Sequence, residues 1–563
     1  MGSANKRELP IIISAFIASL YFGYKLPGMM SGLSLGSMVK TFIPLILIIF
    51  VGYLITFVSG RMFSFAGFVK RKDKLGLGIL TVAIVVSVIL GLILSSGTTN
   101  LGLTYIGIGL LVLGGMVYSV WCYLTGLYIN GLVTFFLVLP FLSFLEWDFK
   151  STWFAGGPLG PIMVSPNLIF IWICFMALLA SLTAKRVKIT IPYIGVLTLF
   201  LGWMLLSAIF AKYPIPALRE WWMHATTFPL IAVLAVNSVR SLEDSGKAII
   251  AFAGYVLMRI AIVYYFYGQA VGFKFYLLID MYNSLMGMTV IFHIGILAIM
   301  AITVFPILIS WIIKEKNYIP RILWVISLLF ILWITFVLQL RSTMLAILIT
   351  LPFLLMYMKI SVSRIVGTAF LLVVVSAIIT YFSPQVLLRF APWYSVAGIV
   401  SDQVMRLDAW QAALKMIANY PVLGIGPAMW TEYFPMYSNK MALIFRINSA
   451  HNPFLTYISS SGLMMMVSIF WFYYLLLKDS LTSINQRISR YEKALDIGIL
   501  WSISALTMLG MLGAVSSLTF IGWVPGTYGV TTVVDVLVTF GFIVGTIKSR
   551  SLLKENQSYS KFI

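Results

Sequence analysis

Long apolar runs broken by short polar joints fill the chain. About sixteen of them approach or exceed the roughly 18 residues needed to cross a hydrocarbon core. They lie near 9–25, 41–60, 75–96, 101–123, 128–145, 167–184, 190–211, 224–239, 247–267, 284–313, 321–340, 342–358, 363–382, 453–477, 495–519 and 528–547. The runs are continuous rather than alternating, which predicts helices and excludes a transmembrane barrel. One interval breaks the rhythm. Residues 383–452 are of mixed polarity and separate two apolar runs. Within it Val404, Leu407, Ala409, Trp410, Ala413, Leu414 and Ile417 recur at helical spacing. They predict an amphipathic helix over 403–419, ended by Pro421 and the turn glycines Gly424 and Gly426. Such a helix lies on the bilayer surface or packs over the bundle.

The expected fold class is therefore an all-α polytopic membrane protein of about 16 transmembrane helices with a helical extracytoplasmic cap loop. Four parts follow: helices over 1–189, a transmembrane core over 190–382, the loop 383–452, and helices with a tail over 453–563. Composition agrees, since 61% of the 563 residues are hydrophobic and 10% charged. The run Ile11 to Tyr24 has no small-residue cleavage site after it and reads as a first span.

A net charge of +21 would suggest nucleic acid in a soluble protein. Its distribution says otherwise. With the N-terminus inside, the clusters Lys70–Lys74, Lys185–Lys188, Arg240/Lys247, Lys314–Arg321, Lys359/Arg364, Lys478–Lys493 and Lys548–Lys554 all fall on one side. That is the positive-inside pattern, so nucleic acid is not an expected partner and membrane lipid is. Both termini are then cytoplasmic. Loops 146–166, 212–223, 268–283, 383–452 and 520–527 face outward, and Arg341, Arg406 and His451 share that outer face.

His451-Asn452-Pro453 reads as the start of a helix, with Asn as N-cap and Pro at the first position. His451 is then either an interfacial capping residue or a neutral base beside a positive helix end. Arg341 either snorkels to the interface or joins Ser342 and Thr343 in a small polar pocket. Arg406 either faces solvent from the loop helix or, with Arg341, holds a diphosphate bidentately. Arg389 is another guanidinium of the same interval. Arg259 and His293 sit mid-span, where an ionisable group usually faces an interior. Arg219, Glu220 and His224, in ALREWWMH, read as an interfacial aromatic belt, with Arg219 also a candidate substrate contact.

Cofactor chemistry is not indicated. Cys122 and Cys174 lie in or beside apolar runs, no histidine pair has metal-ligand spacing, and Glu146/Asp148 in an expected outer loop form only a weak carboxylate pair. No P-loop, dinucleotide fingerprint or nucleophile elbow occurs. The expectation is no metal and no cofactor.

Arg406 with Trp410 four residues on, then Pro421-Val-Leu-Gly424-Ile-Gly426, then His451-Asn452 and Gly462, resembles the O-antigen ligase and polymerase superfamily. Leu340-Arg341-Ser342-Thr343 resembles that family's span-end arginine, although Leu stands where Ser is usual. The likeness runs over roughly 280–480 and leaves the first 190 residues unexplained, as if an added bundle. It implies a C-type, metal-independent, inverting membrane glycosyltransferase in the cytoplasmic membrane, with its site on the outer face. The donor would be a glycan on a polyprenyl diphosphate such as undecaprenyl diphosphate. The acceptor would be a glycan, lipid or protein hydroxyl. Arg341 and Arg406 would hold the diphosphate, and His451 would deprotonate or orient the acceptor. Asn452, Arg389, Trp410, Arg219 and Arg259 are the expected further substrate contacts. Two rival readings are a flippase for lipid-linked sugars, which would use mid-span groups such as Arg259 and His293, and a non-catalytic subunit of envelope assembly.

Overall fold

The computed structural model describes residues 101–149, 166–271, 294–314, 317–337, part of 343–350, 396–438, 449–450, 452–485, 490–511 and 530–559. Fourteen α-helices run through these residues, and no strand occurs among them. They are α1 (Leu101–Thr125), α2 (Tyr128–Phe149), α3 (Pro166–Ala184), α4 (Ile194–Ile209), α5 (Pro214–Ser238), α6 (Leu242–Val271) and α7 (Ile294–Lys314). There follow α8 (Tyr318–Val337), α9 (Val396–Asn419), α10 (Trp430–Tyr437), α11 (Pro453–Ser461), α12 (Leu463–Asn485), α13 (Arg490–Met511) and α14 (Val530–Tyr559).

The main core joins α1–α8 with α12–α14. Phe136 of α2, Phe252 of α6 and Phe542 of α14 meet at its centre, with ring centroids 4.5–5.6 Å apart. Each such pair adds about 0.5–1.5 kcal/mol beyond burial. Gly541 and Gly545 face Phe228, Ala232 and Ala235, so α14 closes on α5 at the spacing common in membrane helix pairs.

One end of the bundle collects the basic joints. Lys185 donates to the Thr125 carbonyl at 3.2 Å, and Arg240 lies over the Tyr128 ring. Lys548 and Tyr193 both bond Asp479, at 3.0 and 2.9 Å. Arg550 is enclosed by Asp496 (2.6 Å), Glu492 (2.6 Å) and Ser245 (3.0 Å). Lys554 binds Asp496 and the Ser483 carbonyl. Burial works against the Arg550 charge, but Asp496 and Glu492 outweigh it and hold the guanidinium above its ordinary range. Burial wins at Lys554 and lowers it. These cations are paired inside the fold, not free in a tail.

The expected helices 101–123, 128–145 and 167–184 coincide closely with α1, α2 and α3. Other expectations need correction. The expected outer loop 212–223 is mostly the first three turns of α5, which begins at Pro214. Its polar residues broke the apolar count, yet Glu220 and His224 are buried. The single run 453–477 is two helices, parted at Gly462. The last helix continues to Tyr559 because its polar end is buried in the ion cluster. Glu146 and Asp148 belong to α2, not to a loop. Two residues apart on a helix, they do not share a face. No group of three potential metal ligands occurs among the described residues.

Two described stretches, Asn167–Ala184 and Leu463–Asn485, are long and apolar enough to cross a membrane by length and composition. The expected runs 9–25, 41–60, 75–96 and 363–382, and most of 342–358, lie outside the described residues.

Candidate active site

The loop helix forms where the apolar stripe places it, beginning at Val396 rather than 403. Ala409, Ala412, Ala413 and Met416 are fully buried, while Leu407 and Leu414 face outward. The buried stripe joins a second, smaller core with Ala208 and Ala211 near the end of α4, Ala217 of α5, Ile425 to Trp430, Phe434 of α10 and Ala450. Trp410, Leu218, Trp221 and Leu455 pack against it. Arg406 is half-buried, one turn before Trp410 and on the same side of α9. Asp408 is buried between them in sequence.

The Pro421–Gly426 turn is a lock on the helix break. Where α11 ends, its last carbonyls lose their intrahelical partners. The turn supplies new donors: Ile425 N–H bonds Ser459 O at 2.9 Å and Gly426 N–H bonds Ser460 O at 2.8 Å. Leu463 N–H returns a bond to Pro421 O at 2.8 Å. Ser207 Oγ contacts Leu423 O at 2.7 Å and Ser460 O at 2.9 Å, and Trp203 donates to Ser461 O at 2.9 Å. Two glycines make this approach possible. A Cβ at Gly424 would strike the Ser460 carbonyl group, and one at Gly462 would strike the Val422 carbonyl. Gly462 has φ 80° and ψ −176°, a conformation essentially confined to glycine.

Gly462→Ala is therefore expected to cost about 1–3 kcal/mol from backbone strain alone, with the clash in addition. Gly202→Ala, whose added methyl meets nothing within 4 Å, is the control. Thermal unfolding of the purified protein reads both. Equal midpoints for Gly462→Ala and wild type would contradict the lock.

The start of α11 is as the sequence predicts. Asn452 is the N-cap, its side chain accepting the Leu455 N–H at 3.2 Å, and Pro453 follows at the first helical position. Thr456 Oγ1 donates to Asn452 O at 2.8 Å and accepts the Ala450 N–H at 3.1 Å. The two residues flanking position 451 are thus fixed to α11, and Ala450 is sunk in the α9 layer.

Arg406, Trp410, Asn452 and half-buried Arg219 stand on elements that this second core brings together. Arg259 does not stand on one of them. It is buried in α6, which packs on α2, α7, α8 and α14. Arg341, Arg389, His451 and His293 lie outside the described residues, although Thr343, two positions beyond Arg341, is buried.

Two residues read as an interfacial belt belong instead to the buried layer. Glu220 is 4% exposed and His224 3% exposed. His224 Nδ1 lies 2.8 Å from the Glu220 carbonyl, and Nε2 lies 2.9 Å from the Tyr457 hydroxyl of α11. Their spacing of four, which puts both on one helical face, was the sequence signal.

Residues 326–470 match the family model described as O-antigen ligase. No curated protein matches the chain. The matched segment spans α9, the Pro421–Gly426 turn, α10 and α11, so it covers most of this layer, while the α4 and α5 residues of the layer lie outside it. The chain carries an O-antigen ligase family domain at residues 326–470.

Proposed function

We propose that this protein is a membrane glycosyltransferase that moves a glycan from a polyprenyl-diphosphate carrier to an acceptor hydroxyl, as a cell-surface polysaccharide ligase or polymerase. The observation that carries the reading is the convergence of motif residues distant in sequence. The helix that bears Arg406 and Trp410, the residues from Ile425 to Trp430 and Leu455 of α11 share one packed layer, most of it inside the segment that matches the O-antigen ligase model.

The chemistry follows from the residue types. The acceptor oxygen attacks the anomeric carbon, the sugar–phosphate bond breaks with inversion, and the carrier diphosphate leaves. Arg406 and Arg341 supply guanidinium forks that match phosphate oxygens and offset the leaving group's charge, so a metal is not required. His451 takes the hydroxyl proton from just before the Asn452 cap. Asn452, Trp410, Arg389 and Arg219 are further substrate contacts. The site faces outward from the cytoplasmic membrane, and the basic end of the bundle faces the cytoplasm. Arg259, buried in the main core, fits a structural role better than a substrate contact.

Envelope glycans of a deletion strain test this. Loss of long chains identifies a polymerase, and long chains stranded on the carrier identify a ligase. Unaltered glycans with unaltered carrier-linked intermediates would sink the reading.

A further inference from the structure

The buried acid of α5 takes no part in the chemistry above. One Glu220 carboxyl oxygen accepts the Ala428 N–H. The other, Oε2, is buried with no hydrogen-bond partner. Ala428 stands at φ 61°, in the left-handed region that a residue with a Cβ avoids. Such strain persists only where the surroundings over-determine it. Just before Ala428 is the turn bonded to Ser459 and Ser460, and just after it Met429 and Trp430 are buried. Glu220 supplies the acceptor for the strained N–H. One turn on, His224 donates through Nδ1 to the Glu220 carbonyl, so Nε2 of the neutral ring accepts the Tyr457 hydroxyl proton. Helix α5 therefore grips both sides of the lock, the turn through Glu220 and α11 through His224.

We infer that Glu220 is a positioning residue: its buried carboxyl holds Ala428 in place and so fixes the 421–428 turn against α11, the helix that Asn452 caps.

Burial pushes the Glu220 carboxyl up to about 8, while the Ala428 N–H pulls the other way. The acid is thus mostly uncharged at neutral pH. The other charged and titratable groups on the elements of this layer are Arg219 and His224 on α5, Asp402, Arg406, Asp408 and Lys415 on α9, Glu432, Tyr433 and Tyr437 on α10, and Tyr457 on α11; Glu432 pairs with Lys212 at 3.5 Å. The folded value lies above the unfolded one. Its stabilising contribution is therefore complete below the unfolded value, declines as pH rises above it, and is gone beyond about 8. A lone carboxylate in this layer attracts water, and the turn loosens in alkali.

The test uses the full chain in detergent or membranes, and its activity arm rests on the glycan-transfer reading. Hydrogen exchange over 421–428, corrected for intrinsic rates, and glycan transfer from a lipid-linked donor are followed from about pH 6 to about pH 10. Glu220→Gln keeps the acceptor without the titration, so it should lack the fall in protection and transfer that wild type shows as pH rises toward about 8. Glu220→Ala should lose protection and lower kcat by about 10- to 100-fold, with donor KM little changed. Adding Ala428→Gly should restore protection, because glycine adopts this φ freely. An alkaline loss in Glu220→Gln equal to that of wild type, or wild-type protection in Glu220→Ala, overturns the inference. If Glu220→Ala does not fold, the Glu220→Gln pH profile decides. If wild type transfers no glycan, the function fails and the exchange experiment still decides the role of Glu220.

Discussion

His451→Ala is expected to lower glycan transfer by about 10²–10⁴-fold at neutral pH, the usual effect of removing a general base. A sugar hydroxyl is a poor nucleophile until its proton has somewhere to go. The position before the Asn452 cap suits a neutral imidazole, because the positive end of α11 disfavours a protonated ring. For the proposed general base the loss should appear in kcat with donor KM nearly constant, since a general base acts in the transition state rather than in uniform binding. Arg406→Ala should instead weaken both parameters, because the proposed diphosphate ligand would act on the donor both when it binds and when its carrier leaves. Arg406→Lys should recover part of the loss, keeping the charge but not the fork. Transfer assays with purified protein and lipid-linked donor separate the two patterns. Near-wild-type rates for folded His451→Ala would remove it from the mechanism.

Asp496→Ala is expected to cost about 3–5 kcal/mol of stability, the usual penalty for breaking a buried ion pair on one side. Asp496 receives Arg550 through one carboxylate oxygen and Lys554 through the other. Both cations are nearly inaccessible to water, so removing Asp496 leaves Lys554 buried with its chief counter-ion gone and Arg550 with Glu492. Asp496→Asn should cost less, because an amide oxygen still accepts one donor. The exposed pair Lys212–Glu432 is the contrast, and Glu432→Ala should shift stability by no more than about 1 kcal/mol. Thermal unfolding ranks the three. A Glu432→Ala loss as large as that of Asp496→Ala would contradict the burial argument.

Much of the helical pattern was legible in the chain. Apolar length marks α1–α3, Asn452-Pro453 marks the start of α11, and of the stripe read on α9 Ala409 and Ala413 are buried while Leu407 and Leu414 are exposed. The errors have a common physical source. Apolar counting assumes that polar residues end a buried helix. In α5, Glu220 and His224 find internal partners, so the helix runs through them. In α14, Arg550 and Lys554 are paired with Asp496 and Glu492, so the helix outlasts its apolar run. The break at Gly462 was hidden for the opposite reason. Apolar character continues across it, and only the distant turn at 421–426, which meets the freed carbonyls, reveals why glycine stands there. The motif glycines, read in the sequence as ending one helix, join two others.

The most direct measurement is the stoichiometry of carrier release. Purified protein is given a polyprenyl-diphosphate-linked glycan and an acceptor glycan in the presence of a metal chelator. The account predicts one polyprenyl diphosphate freed for each glycan newly bonded to the acceptor, with both products lost together in His451→Ala and Arg406→Ala. Movement of intact donor across the bilayer with no bond broken, or full release by folded His451→Ala and folded Arg406→Ala, would contradict it.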